Sequence, residues 1–418
     1  MRRISFASWG LLVVVATWTA ACGGSTPTDA PGAAGTAADA AAGGVLRTAW
    51  GDPDLSGTWE VLQRIPLERN PKYGTREMMT EEEAAEAKKG PSLNTSGTPT
   101  AELPAGEDDD VTENLAAADE ARNQSSDAVP DNTPGRRIVG AEYNSFWNAP
   151  LKTPKQSLRT SQIIDPPDGR LPPYTREVLA SWEAREVARR GRGQGDSWED
   201  RGLGERCIAQ PVGNGVFLGG NKSILQTQGY VVLYWFTPGD GVHRIVPLDG
   251  RPQLGSGIRQ WYGDARGRWE GNTLVVETTN FNNGHAGESL PAHGNLWGTG
   301  HSHNYAGTGE TMKMTERFTR TDAETMEYKL TIEDPKVFVQ PWTASNVWNL
   351  GDSKTPEYEY ACHEHNYGMV NALAGARANP KDSLAEATRE LNIRTPGIKQ
   401  KWEQLKQWEA KQGTRTTQ

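Results

Sequence analysis

All seven histidines of this 418-residue chain lie between His243 and His365, and four of them form two His-x-His pairs, His301-Ser302-His303 and His363-Glu364-His365. Residues two apart on an extended strand point to the same side, so each pair offers two imidazoles to one ion. Four imidazoles, or three with Glu364, suit zinc or another divalent metal. Nothing in the spacing forces the two segments to meet, and loop histidines facing water account for the same pattern. The expectation is therefore no cofactor, with a His-ligated divalent metal site as the lesser alternative.

His363-Glu364 beside Cys362 is the second constellation. A carboxylate orients an imidazole and raises its basicity, which makes a general acid/base near neutral pH. The competing reading is a structural junction. The third constellation is Asp249-Gly250-Arg251 followed by Arg259, Trp261, Tyr262 and Asp264. Asp249 with Gly250 is a turn signal, yet two guanidinium groups beside two aromatic rings are what a pocket for an anionic or aromatic ligand needs. On this reading His363, Glu364, Asp249 and Arg251 are the catalytic candidates. Arg259, Trp261, Tyr262, Trp269 and Trp342 line the ligand. Glu270 and Glu277 offer a carboxylate pair of the glycosidase kind. Gly213-Asn214-Gly215 and Gly219-Gly220 lack the lysine of a phosphate cradle, and no Gly-x-Ser-x-Gly elbow is present.

The elements that must carry these residues read as hairpins. Ile224–Thr227, Tyr230–Phe236 and Val242–Pro247 are apolar runs separated by turn residues. Arg268–Glu270 meets Thr273–Asn280 across Gly271-Asn272, and Thr315–Thr321 meets Met326–Ile332. Met326 to Leu330 alternates with a period of two, one face wet and one buried. Successive hairpins without intervening helices imply a mainly β fold, an antiparallel meander closing into a barrel or sandwich with peripheral helices and long loops. The helices are Met78–Lys89, started by a Thr80/Glu83 capping box, the charged Arg176–Arg190, and a C-terminal Ser383–Lys411 broken at Pro396-Gly397. One β domain over 50–380 is expected, with a C-terminal helical extension over 381–418. The Asp-, Asn-, Pro- and Ser-rich stretch 90–136 reads as a disordered acidic insertion, too poor in apolar surface to offset the entropy of ordering.

Composition narrows the class. Asp and Glu outnumber Lys and Arg by 53 to 44, a net charge of −9, which argues against a nucleic-acid binder. Fifteen Trp against seven Phe point to a Trp-stiffened, loop-rich protein. Arg2 and Arg3, the apolar Leu11–Ala16, and Thr19-Ala20-Ala21-Cys22 read as an export signal ending in a lipobox, with Cys22 the lipidated residue. An ordinary signal peptide cleaved near Ala21 is the alternative. Residues 23–49, mostly Ala, Gly, Thr and Ser, then form a flexible tether. The chain is expected in the periplasm or on the outer membrane, touching the membrane through its lipid only. In that oxidising compartment Cys207 and Cys362 are candidates for one disulfide; two buried thiols are the alternative.

Four motifs carry a resemblance. Pro53-Asp54-Leu55-Ser56-Gly57-Thr58-Trp59, the Ile163–Arg170 stretch IIDPPDGR, the Gly267–Phe281 stretch GRWEGNTLVVETTNF, and Tyr360-Ala361-Cys362-His363-Glu364 with Asn366-Tyr367-Gly368 resemble a large group of exported bacterial proteins, most of whose members have no assigned activity. The Gly57-x-Trp59 opening is also similar to the first strand of lipocalins, where the indole plugs one barrel end. These readings together give an exported, lipid-anchored, lipocalin-like barrel that binds a bulky apolar or aromatic small molecule. The polar clusters leave open metal-independent acid–base catalysis of the lyase, isomerase or hydratase type, a non-catalytic ligand-binding or envelope lipoprotein, and a His-ligated metalloenzyme.

Overall fold

The structure is a computed structural model and describes residues 45–60, 65–89, 157–193, 195–200, 206–208, 221–235, 242–283, 309–351, 363–364 and 366–416. The leader and lipobox with Cys22, most of the tether, the acidic insertion, and His301, His303, Cys362 and His365 lie outside those residues.

Ten strands form one antiparallel sheet: β1 (Gly57–Glu60), β2 (Ile163–Asp165), β3 (Asn221–Thr227), β4 (Tyr230–Trp235), β5 (Val242–Pro247), β6 (Asp264–Glu270), β7 (Thr273–Thr279), β8 (Lys313–Arg320), β9 (Thr325–Glu333) and β10 (Trp342–Leu350). The order is β5-β4-β3-β1-β10-β9-β8-β7-β6, with β2 also paired to β10. β1 meets β10 at Leu350 and Asn349, whereas β2 meets it at Thr343 and Ala344. Two short strands therefore share one edge of β10. The sheet curls into a nearly closed barrel.

Alternation sets the two faces. On β9, Met326, Tyr328, Leu330 and Ile332 are all fully buried, and on β7 Leu274, Val276 and Thr278 are as well. The outward phase carries cross-strand ion pairs such as Lys313–Glu333 and Arg317–Glu270, although Val275 on that phase of β7 is also buried. Phe318, Tyr328 and Trp348 pack ring against ring inside, with centroids 4.6 to 5.7 Å apart.

Nine strands in the path make eight antiparallel steps, so β5 and β6 at its two ends run in the same direction. They cannot complete the antiparallel ladder. Side chains pack the seam instead, where Gly267 is required. A Cβ there would lie 2.5 Å from Leu248 Cδ2 and 2.8 Å from Val246 Cγ1. Because β5 and β6 are parallel, the chain between them must return along the whole barrel. Residues 248–263 make that crossing, tied down by Leu254 N donating to Asp264 Oδ2 (2.7 Å) and Arg266 Nε donating to the Pro252 carbonyl (3.0 Å).

Each barrel end is stoppered. At one, the Trp59 indole donates to the Leu55 carbonyl (2.9 Å) under the Arg320 guanidinium, 5.3 Å from the ring centroid. Gly57 lies so close to β10 that a Cβ would stand 2.8 Å from Leu350 Cδ1, which explains the glycine of that opening motif. At the other end helix α2 (Arg176–Arg189) presses Val178, Leu179 and Trp182 inward, with Tyr174 and Phe338 stacked beside Trp342. Helix α1 (Glu81–Lys89) starts with the expected capping box. Thr80 N donates to Glu83 Oε2 (2.8 Å) and Glu83 N to Thr80 Oγ1 (3.2 Å).

The C-terminal segment differs from expectation. After α3 (Tyr367–Ala378), α4 runs unbroken from Pro380 to Thr416, through Pro396-Gly397. Ile398 and Leu405 are buried, Trp402 Nε1 donates to Glu183 (2.8 Å), and Arg176 pairs with Glu409. Packing of α4 along α2 offsets the roughly 3 kcal/mol that an internal proline costs. The fold also begins slightly earlier than the expected tether allows, because Arg47 bridges to Pro53.

Candidate functional site

The barrel interior holds a layer of polar side chains that no apolar core requires. Arg244 points inward from β5, 3 % exposed, and reaches over β6 to Glu316 on β8. Nη1 donates to Oε2 (2.5 Å), Nη2 to Oε1 (2.8 Å), and Nη1 also to Thr278 Oγ1 on β7 (3.4 Å). Tyr328 on β9 donates its hydroxyl to Glu316 Oε1 (3.0 Å). Burial works against the charge on Arg244, but the Glu316 carboxylate outweighs it and raises the guanidinium pKa. Such a bidentate pair is worth little net over an apolar core, yet losing one partner costs about 3–5 kcal/mol.

Asn346 sits directly opposite Tyr328 in the β10–β9 register. It is 3 % exposed, and neither its Oδ1 nor its Nδ2 has a hydrogen-bond partner in the protein. Leaving a buried polar group unsatisfied costs roughly 1–3 kcal/mol. A primary amide also offers a donor and an acceptor side by side. The layer therefore presents the Asn346 amide edge next to the Arg244–Glu316 ion pair, with the Trp348 and Phe318 rings alongside. Lys222 on β3 also lies inside, facing Trp59 in register and fully buried. Burial pushes its ammonium down to about 7.

The residues expected to do chemistry are placed elsewhere. Asp249 and Arg251 come together at the start of the 248–263 crossing, with both side chains exposed. Arg251 Nε donates to Asp249 Oδ2 (2.8 Å), and Nη2 to the Tyr230 hydroxyl (2.8 Å). The side-chain bonds from Arg251 hold the Asp249 carboxyl at about 2. Asp249 is thus ionised near neutral pH, and the pair forms a surface clamp on Tyr230. Arg259 donates to the carbonyls of Phe281 (3.2 Å) and Glu310 (3.1 Å), which spends it on loop structure. Trp261 and Tyr262 are half-buried in the crossing, Tyr262 against the core. Trp269 packs on the core from β6, and Trp342 is fully buried at the α2 end. Glu270 and Glu277 both lie against Arg268 (2.8 and 3.2 Å), so as a carboxylate pair they are already neutralised.

His363 and Glu364 are exposed in the turn before α3. Asn366 caps that helix by accepting from Met369 N (3.3 Å), and its Nδ2 donates to Cys207 Sγ (3.1 Å). The stretch works locally as a helix entry fastened to Cys207. Among the described residues no cluster of three His, Cys, Asp or Glu is arranged for a metal; His301, His303 and His365 lie outside them.

Arg244, Glu316, Tyr328, Asn346 and Lys222 were not among the expected site residues. Their signal is present in the strands, where Glu316 falls between Met314 and Phe318 and Arg244 two before Val246, each on the apolar phase of its alternation. No protein-family model matches this chain, and no curated protein matches it.

Proposed function

We propose that this chain is an exported, lipid-anchored barrel that binds a bulky apolar or aromatic small molecule in its interior. The Asn346 edge would grip one polar group of that molecule. Asn346 carries the reading: a buried amide with both atoms unpartnered, set among aromatic rings beside the bonded Arg244–Glu316–Tyr328 cluster. The motif resemblance to exported bacterial proteins and the lipobox around Cys22 support the location. A disulfide between Cys207 and Cys362 belongs to the same reading. Cys207 is buried, and Asn366, four residues after Cys362, donates to its sulfur (3.1 Å).

The ligand fitting this edge is an aromatic plate with an adjacent donor and acceptor, such as a primary aryl amide. Titration with 2-naphthamide, read by tryptophan fluorescence, should show saturable binding. Asn346→Leu should weaken it about tenfold, which corresponds to about 1.4 kcal/mol, while leaving the protein folded. Native mass spectrometry of protein extracted from its own envelope should reveal a co-purifying small molecule. Equal affinity in the variant, together with an empty native protein, would remove the interior site.

A further inference from the structure

The outer surface of the barrel has two unlike halves. Over β6–β9 it carries a lattice of ion pairs: Arg268–Glu270, Arg317–Glu270, Lys313–Glu333 and Lys329–Glu327. Over β3–β5 the outward register rows are Ser223–Tyr234–His243, Leu225–Val232–Ile245 and Thr227–Tyr230–Pro247. They contain no Asp, Glu, Lys or Arg. Leu225 is 59 % and Ile245 66 % exposed, aligned across three neighbouring strands, with Tyr230 at one margin beneath the Arg251 guanidinium. An aligned apolar row of this kind, on a barrel whose β6–β9 face is charged, marks a contact surface.

Its position identifies the partner. The first described residues come off the barrel at the same end as this patch. Gln226, next to Leu225, accepts from Leu55 N and donates to the Pro53 carbonyl (3.1 Å). Arg47 reaches the β6–β7 turn at that end through Asn272 (3.1 Å). The route from the fold back to Cys22 therefore leaves from the barrel end that the Thr227–Tyr230–Pro247 row borders, on its β6–β7 side. A chain with the length and Ala-Gly-Ser-Thr composition of residues 23–44 has a root-mean-square span of roughly 25 Å. A domain held that near a bilayer meets it at high effective concentration, so a weak apolar contact suffices to orient it. Tyrosines beside aliphatic side chains are the composition favoured at a membrane–water boundary, and the net charge of −9 directs any attraction to apolar insertion rather than to anionic headgroups.

We infer that the Leu225–Val232–Ile245 face lies on the lipid bilayer to which the chain is anchored. This would add a second membrane contact to the lipid itself; it rests on the anchoring proposed above for its effective concentration, but not for the affinity of the face. The test uses the full chain with Cys22→Ser, which cannot be acylated, and flotation with phosphatidylcholine vesicles. The Cys22→Ser protein should float, and adding Leu225→Glu with Ile245→Glu should lower the bound fraction at least fivefold. A milder Leu225→Ser/Ile245→Ser variant, with tryptophan fluorescence as a folding control, should lower it in part. Equal flotation with and without the patch substitutions overturns the inference. So does a concentration-dependent dimer that the patch substitutions abolish without altering flotation, since a second copy then covers the face. The mass of the N-terminal peptide from the native protein reports acylation separately, so failure of the anchor and failure of the face are told apart.

Discussion

Charge burial governs the interior residue by residue. Lys222 titrates near 7 in the fold because burial disfavours its ammonium, whereas a lysine in the unfolded chain titrates near 10.4. Between those values the unfolded chain binds more protons, so the Lys222 contribution makes stability rise with pH from about 7 to about 10. That contribution is lost as pH falls, and below about 7 it reaches its least favourable level. At about 1.4 kcal/mol per pKa unit the span is roughly 3–5 kcal/mol. Lys222→Met keeps the length of the side chain and removes the proton. Its advantage over the wild type should be largest at pH 6.5 and shrink steadily toward pH 9.5 in urea unfolding. An advantage that is constant across that range would show that Lys222 is not held as a neutral amine. Ionisable side chains are ordinarily exposed, so residue type alone does not mark Lys222, Arg244 and Glu316 as interior. Alternation alone marks Glu316 and Arg244 as sharing a face with Met314 and Val246, but which face turns inward is settled by strand pairing.

At the scale of elements, the hairpins are readable because each combines β-branched alternation with turn residues, Asp322 between β8 and β9 and a glycine in the others, as in Gly271-Asn272 between β6 and β7, where Gly271 takes a φ of 63°. β10 is not. Trp342–Leu350 contains Ala, Ser and two Asn, residues of low strand propensity, yet it pairs with β9, β1 and β2. Tertiary pairing overrides local preference there. The break expected at Pro396 is absent for the same reason, since packing along α2 holds the helix from Ile398 onward. The seam is the element-level weak point, where side-chain packing takes the place of a ladder. Gly267→Val should drive a branched side chain into Val246 and Leu248 and destabilise the protein by about 1–3 kcal/mol. Hydrogen exchange should then accelerate in β5 and β6 before β8 and β9. Uniform acceleration across all strands would mean that the seam does not open on its own.

For the whole molecule, the barrel was legible and its closure was not, because an odd strand path follows from placing β1 between β3 and β10, a long-range pairing that no local pattern encodes. The same limit applies to how the helices join the barrel. α4 lies on α2, which itself stoppers the barrel, and α3 begins at Asn366 against Cys207 just upstream of β3. A Cys207–Cys362 bond would turn that contact into a covalent tie between the strand 3 lead-in and the helical extension. The loop it closes is long, so in the chain-entropy account it restricts the unfolded state by up to about 5 kcal/mol. Cys207→Ser should accordingly lower the denaturation midpoint substantially and match the wild type measured in reductant. Cys207 adopts a φ of 54°, and serine meets the same backbone strain, so the substitution reports the bond and not the turn. Proteolysis without reductant should release one peptide containing both cysteines. Two thiols reacting in the denatured, unreduced protein would instead leave the helices held to the barrel by packing and hydrogen bonds alone.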